Sequence, residues 1–216
     1  AAGLAHQPTV FLIPLPGLGD AVLDEGLTRA LQGETGVSVE LPLGARFESQ
    51  AFVHHQDRLL LPELVRQGEV EEEPNAAEVL SYGLEVFVTR RLARAGPTGW
   101  LSYTLGGAEA RSELPGLERF RPDFDVRHVI NLVLSQRVWR GLEVGSRVHA
   151  RSGRLIQQIN PRHSQRLPWF LRLDLRLGYH WSTQVADLQA YAEWMNATIQ
   201  QEYLDADCFV AACVAE

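Results

Sequence analysis

Charged and polar side chains recur at every second residue in two segments of the chain. They are Arg147, His149 and Arg151 in the first segment, and Arg172, Asp174 and Arg176 in the second. Alternate residues of an extended strand point to the same face of a sheet, so each segment would carry a row of ionisable groups on one side. The net positive charge of these rows would attract an anionic ligand. The alternative interpretation is that the six residues form ion pairs with neighbouring strands.

The two cysteines, Cys208 and Cys213, stand close together in "CFVAAC". No histidine lies at a spacing that would complete a zinc site with them, so a local disulfide is one interpretation. Closing so small a loop would stabilise it by roughly 2 kcal/mol on the chain-entropy model, and it requires an oxidising compartment. The other interpretation is a pair of free thiols in a flexible tail.

Other chemical motifs are weak. His54 and His55 are adjacent and would point to opposite faces of a strand, so they cannot share a metal ion. The segment "PGLGD" lacks the strand-to-helix context of a phosphate loop, and no GxSxG elbow accompanies the scattered Ser, His and Asp residues. We therefore predict no enzyme activity, no cofactor and no bound metal.

Composition narrows the class of protein. The chain has 216 residues, of which 45% are hydrophobic and 22% charged, within the ordinary range of folded domains. The formal net charge is -7, and every basic residue other than histidine is an arginine. No basic stripe is present, which argues against nucleic acid as a partner. No apolar run approaches the roughly 18 residues of a membrane-spanning helix.

Period-2 alternation of apolar and polar residues dominates the chain and predicts strands rather than helices. The predicted strands cover residues 28–41, 45–56, 78–91, 99–110, 127–139, 141–152, 168–181 and 185–197, and residues 1–6 would be the end of another. Tight connections at 42–44, 92–98, 139–141 and 182–184 alternate with long ones at 57–77, 111–126 and 153–167. This alternation predicts an up-and-down meander with the tight connections at one end.

The charges follow the same parity from strand to strand, so each predicted strand has one apolar side. The apolar set includes Ile130, Leu132, Leu134, Val138, Val144, Val148, Leu173 and Leu175. A soluble sandwich would bury such faces in a core, and it remains an alternative. Strand length favours a membrane barrel, because Trp169 to Trp181 would rise roughly 40 Å, or near 28 Å along the membrane normal when tilted. We predict an all-β, antiparallel up-and-down meander, a partial transmembrane β-barrel of about 8–9 long strands.

Several segments in order resemble the C-terminal barrel strands of TonB-dependent outer-membrane receptors. They are "SYGLEVFVTRR", "GWLSYTLGGAEAR", "FDVRHVINLVLSQRVWRGLEVGSRVHARSG", "RLPWFLRLDLRLGYHW" and "YAEWMNAT". The resemblance covers about residues 76 to 204, with a weaker one before that in "AHQP" and "GVSVELPLGARFESQAFVHHQD". The family's plug domain, TonB-contacting segment and closing strand have no counterpart here. The resemblance implies that residues 1–216 are the C-terminal part of a barrel wall.

The same resemblance implies a function and a location. Members of this family take up a scarce ligand, such as a ferric siderophore or a vitamin, across the outer membrane of a Gram-negative bacterium. The expected partners are outer-membrane lipid, the small ligand, and the TonB system acting through the missing plug segment. Arg147, His149, Arg151, Arg172, Asp174 and Arg176 would then face the lumen along the ligand path, or form ion pairs with neighbouring strands or the plug. A passive porin-like barrel is the alternative.

Overall fold

A computed structural model describes residues 2–8, 27–59, 77–91, 96–113, 118–157, 164–201, 206–209 and 212–215. Within these ranges the regular elements are β-strands, apart from one short 3-10 turn at Pro42–Gly44. None of the described residues belongs to a helix that is long and apolar enough to cross a membrane.

The strands are numbered in chain order. Their bounds are β1 (Ala2–Pro8), β2 (Leu27–Leu41), β3 (Ala45–Leu59), β4 (Ala77–Arg90), β5 (Thr98–Arg111), β6 (His128–Trp139), β7 (Leu142–Arg151), β8 (Leu155–Gln157), β9 (Ser164–Arg166), β10 (Phe170–Ser182), β11 (Asp187–Trp194), β12 (Ala206–Phe209) and β13 (Ala212–Ala215). Strands β2 and β3 have 15 residues each, and β4 and β5 have 14 each, far above the roughly 5 to 6 residues of an average strand.

Nine of these strands form one sheet in the order β1-β2-β3-β4-β5-β6-β7-β10-β11. Each strand thus lies beside its sequence neighbour, except that β10 follows β7 in the sheet. Strands β8 and β9 form a separate hairpin inside the connection between β7 and β10, and β12 pairs with β13 in another. The pairings with a described register are antiparallel. The predicted all-β antiparallel meander is confirmed.

One predicted strand end is wrong, and one predicted strand contains a bulge that the sequence pattern did not indicate. The predicted strand 185–197 is shorter, because β11 ends at Trp194 and residues 195–198 form a turn in which Asn196 has φ 52°. The predicted apolar position Val138 falls at a shift in register, beyond which Trp139 and not Val138 lies opposite Leu142. A one-residue bulge of this kind reverses the facing of the residues beyond it.

The turn after β11 bonds to the edge of β10 that β11 leaves uncovered. Gln200 Nε2 donates to the carbonyl oxygen of Trp169 at 2.9 Å, and Gln200 Oε1 accepts from the Leu171 amide at 2.9 Å. Thr198 Oγ1 donates to the Leu171 carbonyl oxygen at 3.0 Å. The side chain of Gln200 therefore takes the place of a peptide group in the sheet.

Contacts divide the chain into two units, and strands β2 to β5 contribute residues to both. The first unit draws on Ala1–Thr35, Ala51–Gly83 and Gly106–Asp125. Its buried apolar cluster consists of Ala77, Val79 and Ala110, with Leu59 and Phe120 packed against it. Phe120 reaches this cluster because its backbone forms a two-way bridge with Ala110.

An ion pair holds the connection after β5 in the first unit. Arg119 donates to Glu109, and this hydrogen bond raises the pKa of Arg119 above its usual value. Nearby, the Asp125 carboxylate accepts a 2.9 Å hydrogen bond from the buried Ala108 amide. The long connection is thus fixed against the end of β5 by two carboxylates.

The second unit draws on Gly36–Gln50, Leu84–Leu105 and Val126–Glu216. It contains the tight turns at Pro42–Gly44 and at Arg140–Gly141. Arg90 Nε donates to the carbonyl oxygen of Leu43 at 3.2 Å, and the His180 amide donates to the carbonyl oxygen of Gly141 at 2.6 Å. Each of these turns is therefore bonded to a strand that lies outside its own hairpin.

Gly141 lies in the turn between β6 and β7 with φ 74°, a left-handed conformation that suits glycine. A Cβ at this position would collide with the carbonyl oxygen of His180. Gly178, in the neighbouring strand β10, has room for a Cβ, whose nearest atom would be 3.9 Å away. Replacing glycine with alanine should therefore destabilise the fold at position 141 but not at position 178.

We expect Gly141→Ala to lower the free energy of unfolding by about 2 kcal/mol or more, since left-handed strain alone costs about 1–2 kcal/mol. Gly178→Ala is the matched control and should be neutral. The denaturant midpoint of each refolded variant measures the effect. Equal midpoints for the two variants would contradict the turn geometry.

Candidate functional site

The register of the second unit fixes two chemically different faces. Residues directly opposite each other in an antiparallel pair lie on the same face. One row across β5, β6, β7 and β10 consists of Leu101, Leu132, Val148 and Leu173. The adjacent row on the other face consists of Ser102, Asn131, His149 and Arg172. We call these the apolar face and the polar face, and the predicted parity of the strands is confirmed.

All six predicted site residues lie on the polar face. Arg147 is directly opposite Asp174, His149 is opposite Arg172, and Arg151 is opposite Phe170. Arg176 is opposite Gly145 on one side. The sequence pattern therefore placed this set on one face correctly.

Asp174 carries the one carboxylate of the set. Its Oδ1 accepts from Arg172 Nε at 2.8 Å and from the amide of Asn196 at 2.8 Å. The side chain of Asp174 is 16% exposed, whereas that of Arg172 is 41% exposed. Asp174 therefore fixes the turn after β11 to the polar face as well as neutralising an arginine.

The side chain of Arg176 also contacts residues of the adjacent strand, β11. Its Nη1 donates to Glu193 Oε1 at 3.1 Å, and its guanidinium carbon lies 4.4 Å from the ring centre of Tyr191. A cation over an aromatic face is stabilised by the ring quadrupole. The predicted ion pairing with a neighbouring strand thus describes Arg176, whereas the pair of Arg172 and Asp174 lies within β10 itself.

His149 belongs to a hydrogen-bonded row that crosses three strands. Its Nδ1 is 2.6 Å from Asn131 Oδ1, and Asn131 Nδ2 donates to Ser102 Oγ at 3.2 Å. The sequence interpretation missed Asn131 and Ser102 as partners of His149. Their parity within their strands was the available signal, since both share the face of the charged residues.

Arg147 differs from the other arginines of the polar face. It is exposed, and the carboxylate opposite it is bonded to Arg172. Within the described part of the chain, no carboxylate forms an ion pair with it at hydrogen-bonding distance. Its guanidinium is thus not held by a carboxylate in the way that Arg172 and Arg176 are.

Aromatic residues stand at both ends of the apolar face. Toward the β7–β10 connection, Tyr103, His128 and Trp169 stack, with ring centres 6.1 and 5.6 Å apart. The Tyr103 hydroxyl is 2.9 Å from His128 Nδ1. Toward the β10–β11 turn, Tyr179 and Trp181 lie 5.8 Å apart. Between these two groups the face is mainly leucine and valine, with Gln136 and Ser146 also on it.

A cavity of about 330 Å³ also opens on the polar face, over strands β3 to β5. Its polar lining includes Glu48, Gln50, Glu85, Ser102 and Thr104. No group of three or more metal-ligating side chains occurs among the described residues. The cavity offers hydroxyl, amide and carboxylate groups but no assembled metal site.

The two adjacent histidines behave as their sequence positions predict. His55 Nε2 is 2.6 Å from Asp57 Oδ1, and the ring of His54 is 5.3 Å from that of Phe52. Each partner is two residues away, so the two rings lie on opposite faces of β3.

The backbone register places Cys208 directly opposite Cys213 in the β12–β13 hairpin. Their side chains lie outside the described part of the structure, so the disulfide stays a prediction. No protein-family model matches this chain, and no curated protein or solved structure matches it either. The resemblance to TonB-dependent receptors therefore also stays a prediction.

We expect Asp174→Asn to lower the free energy of unfolding by about 1–2 kcal/mol, since it weakens two hydrogen bonds to a charged group. Glu193→Gln is the matched control, because its ion pair with Arg176 is 43% and 44% exposed and is worth well under about 1 kcal/mol. Hydrogen exchange of the Asn196 amide should accelerate only in the Asp174 variant. Acceleration in both variants would contradict a specific role for Asp174.

Proposed function

We propose that this chain forms part of the wall of an outer-membrane β-barrel that serves TonB-energised uptake of a scarce ligand, such as a ferric siderophore or a vitamin. The observation that carries the proposal is the exposed apolar face, continuous across neighbouring long strands and bounded by aromatic residues at both ends. Lipid hydrocarbon is the solvent that suits such a surface.

The distribution of burial supports lipid rather than water around the apolar face. Leu175, Leu177 and Tyr179 are exposed along one strand, and Leu177 is 52% exposed. The largest fully buried side chains among the described residues are Val79, Pro122 and Ser152. A soluble sandwich would bury one apolar face against a second sheet, yet the other described sheets are two-stranded hairpins.

The height of the apolar band also supports a membrane location. From Trp169 to Tyr179 the chain rises roughly 33 Å, which becomes about 23 Å when the strand is tilted near 45°. Outer-membrane barrels carry an apolar band about 25 Å tall between two aromatic girdles. The stack of Tyr103, His128 and Trp169 and the pair of Tyr179 and Trp181 would occupy the two lipid–water interfaces.

Energised uptake is favoured over a passive pore by the sequence resemblance alone. The two differ in energy coupling, which can be measured in cells that produce the whole reading frame containing this chain. Ligand uptake that stops when a protonophore collapses the proton gradient supports the receptor. A steady open conductance in planar bilayers, insensitive to the protonophore, would instead establish a porin.

We expect Leu173→Arg to impair insertion into lipid vesicles, since an arginine facing lipid near the midplane costs roughly 2–4 kcal/mol. Thr104→Arg is the matched control, because Thr104 lies opposite Val129 on the polar face. Protection of the refolded chain from protease measures insertion. If both variants insert equally well, or if the unaltered chain is a stable monomer in plain buffer, the membrane proposal fails.

A further inference from the structure

The contact with Asn131 defines the state of one ring nitrogen of His149, a half-buried residue of the polar face. The Asn131 amide donates from Nδ2 to Ser102 Oγ and turns Oδ1 toward His149 Nδ1. Because an amide oxygen only accepts hydrogen bonds, Nδ1 must carry the proton. Nε2 of the neutral ring then has a free lone pair, which accepts a hydrogen bond from a ligand hydroxyl.

Arg147 lies two residues before His149 on the same face of β7. Alternate residues of a strand are roughly 6.6 Å apart, a gap that the long arginine side chain can narrow. Asp174, opposite Arg147, is already bonded to Arg172 and to the Asn196 amide. The guanidinium of Arg147 therefore has donors available for an external carboxylate.

The surroundings of this pair favour a negatively charged ligand. Arg172 lies directly opposite His149, and Arg151 follows it two residues later on the same face. The ring of Phe170 lies 6.0 Å from that of His149, tilted by 58°. Positive charge beside a desolvating aromatic ring strengthens the attraction for an anion.

We propose that Arg147 and His149 anchor a hydroxycarboxylate group of the ligand. Arg147 binds the carboxylate, and His149 Nε2 accepts a hydrogen bond from the hydroxyl beside it. Asn131 is a positioning residue that holds the imidazole in the accepting state. This inference rests on the proposed function and deepens it, because it names the chemical class of the group that the polar face recognises.

Malate and succinate are suitable probes, since they differ by one hydroxyl group. With the full chain folded in detergent micelles, we expect malate to bind on the order of fivefold more tightly than succinate by NMR titration, the effect of one net hydrogen bond. His149→Phe should abolish that ratio while leaving succinate binding intact. Arg147→Gln should weaken both probes by at least about tenfold, as for the loss of a charge-assisted bond.

Arg137→Gln is the control for general charge attraction. Arg137 is an exposed arginine on the polar face, opposite Glu143, and its substitution should leave both affinities unchanged. Nitrogen NMR of His149 should show Nδ1 protonated, and Asn131→Leu should lose that preference together with the malate preference. This last result separates positioning of the ring from a purely structural role.

Three results would overturn the inference. They are equal binding of malate and succinate, a proton on Nε2 of neutral His149, and an equal loss of binding in the Arg137 and Arg147 variants. Failure of the proposed function is distinguishable, because it appears as a chain that does not insert into vesicles. A chain that inserts normally but does not distinguish malate from succinate would refute the ligand site alone.

Discussion

The alternation of side chains along antiparallel strands is the constraint on which this structure depends. Successive side chains of a strand point to opposite faces of the sheet, so each strand has leucines on one face and ionisable groups on the other. Strand pairing then places the leucines of neighbouring strands on the same face. The row of Leu101, Leu132, Val148 and Leu173 exists only while four strands keep one register. A slip of one residue in β10 would place Arg172 and Asp174 among the leucines, so hydrophobicity and charge together hold the register.

The polar face uses its charges in two ways. Arg172 with Asp174 and Arg176 with Glu193 satisfy one another across short distances, which lets ionic groups sit on a partly enclosed surface. His149, in contrast, is held by neutral groups, Asn131 and Ser102, and its second ring nitrogen has no part in that row. The face therefore combines paired charges with a histidine that is oriented by neutral partners.

The sequence pattern was sufficient to predict the strands, the meander and the two faces, because each depends on local two-residue periodicity. It did not predict the end of β11, since Ala190, Ala192 and Trp194 alternate smoothly into Asn196. At the turn that follows that strand, the Asn196 amide donates to a distant carboxylate, Asp174, which local periodicity does not reveal. The bulge at Val138 was missed for a similar reason, because register shifts depend on the partner strand. For the candidate site, the sequence indicated which residues are cationic. It did not indicate which of these cations would form ion pairs with neighbouring residues.

The bonds of Gln200 to β10 bear on how a strand can end before the neighbour it pairs with. A backbone group that loses its partner away from water costs free energy, so an early strand end normally leaves part of the neighbouring strand unsatisfied. Here a single side-chain amide supplies both a donor, to Trp169, and an acceptor, to Leu171. Thr198 completes the pairing at Leu171, whose amide and carbonyl groups are then both bonded. A foreign strand would find the backbone groups of Leu171 already bonded, which blunts the tendency of exposed sheet edges to recruit other chains.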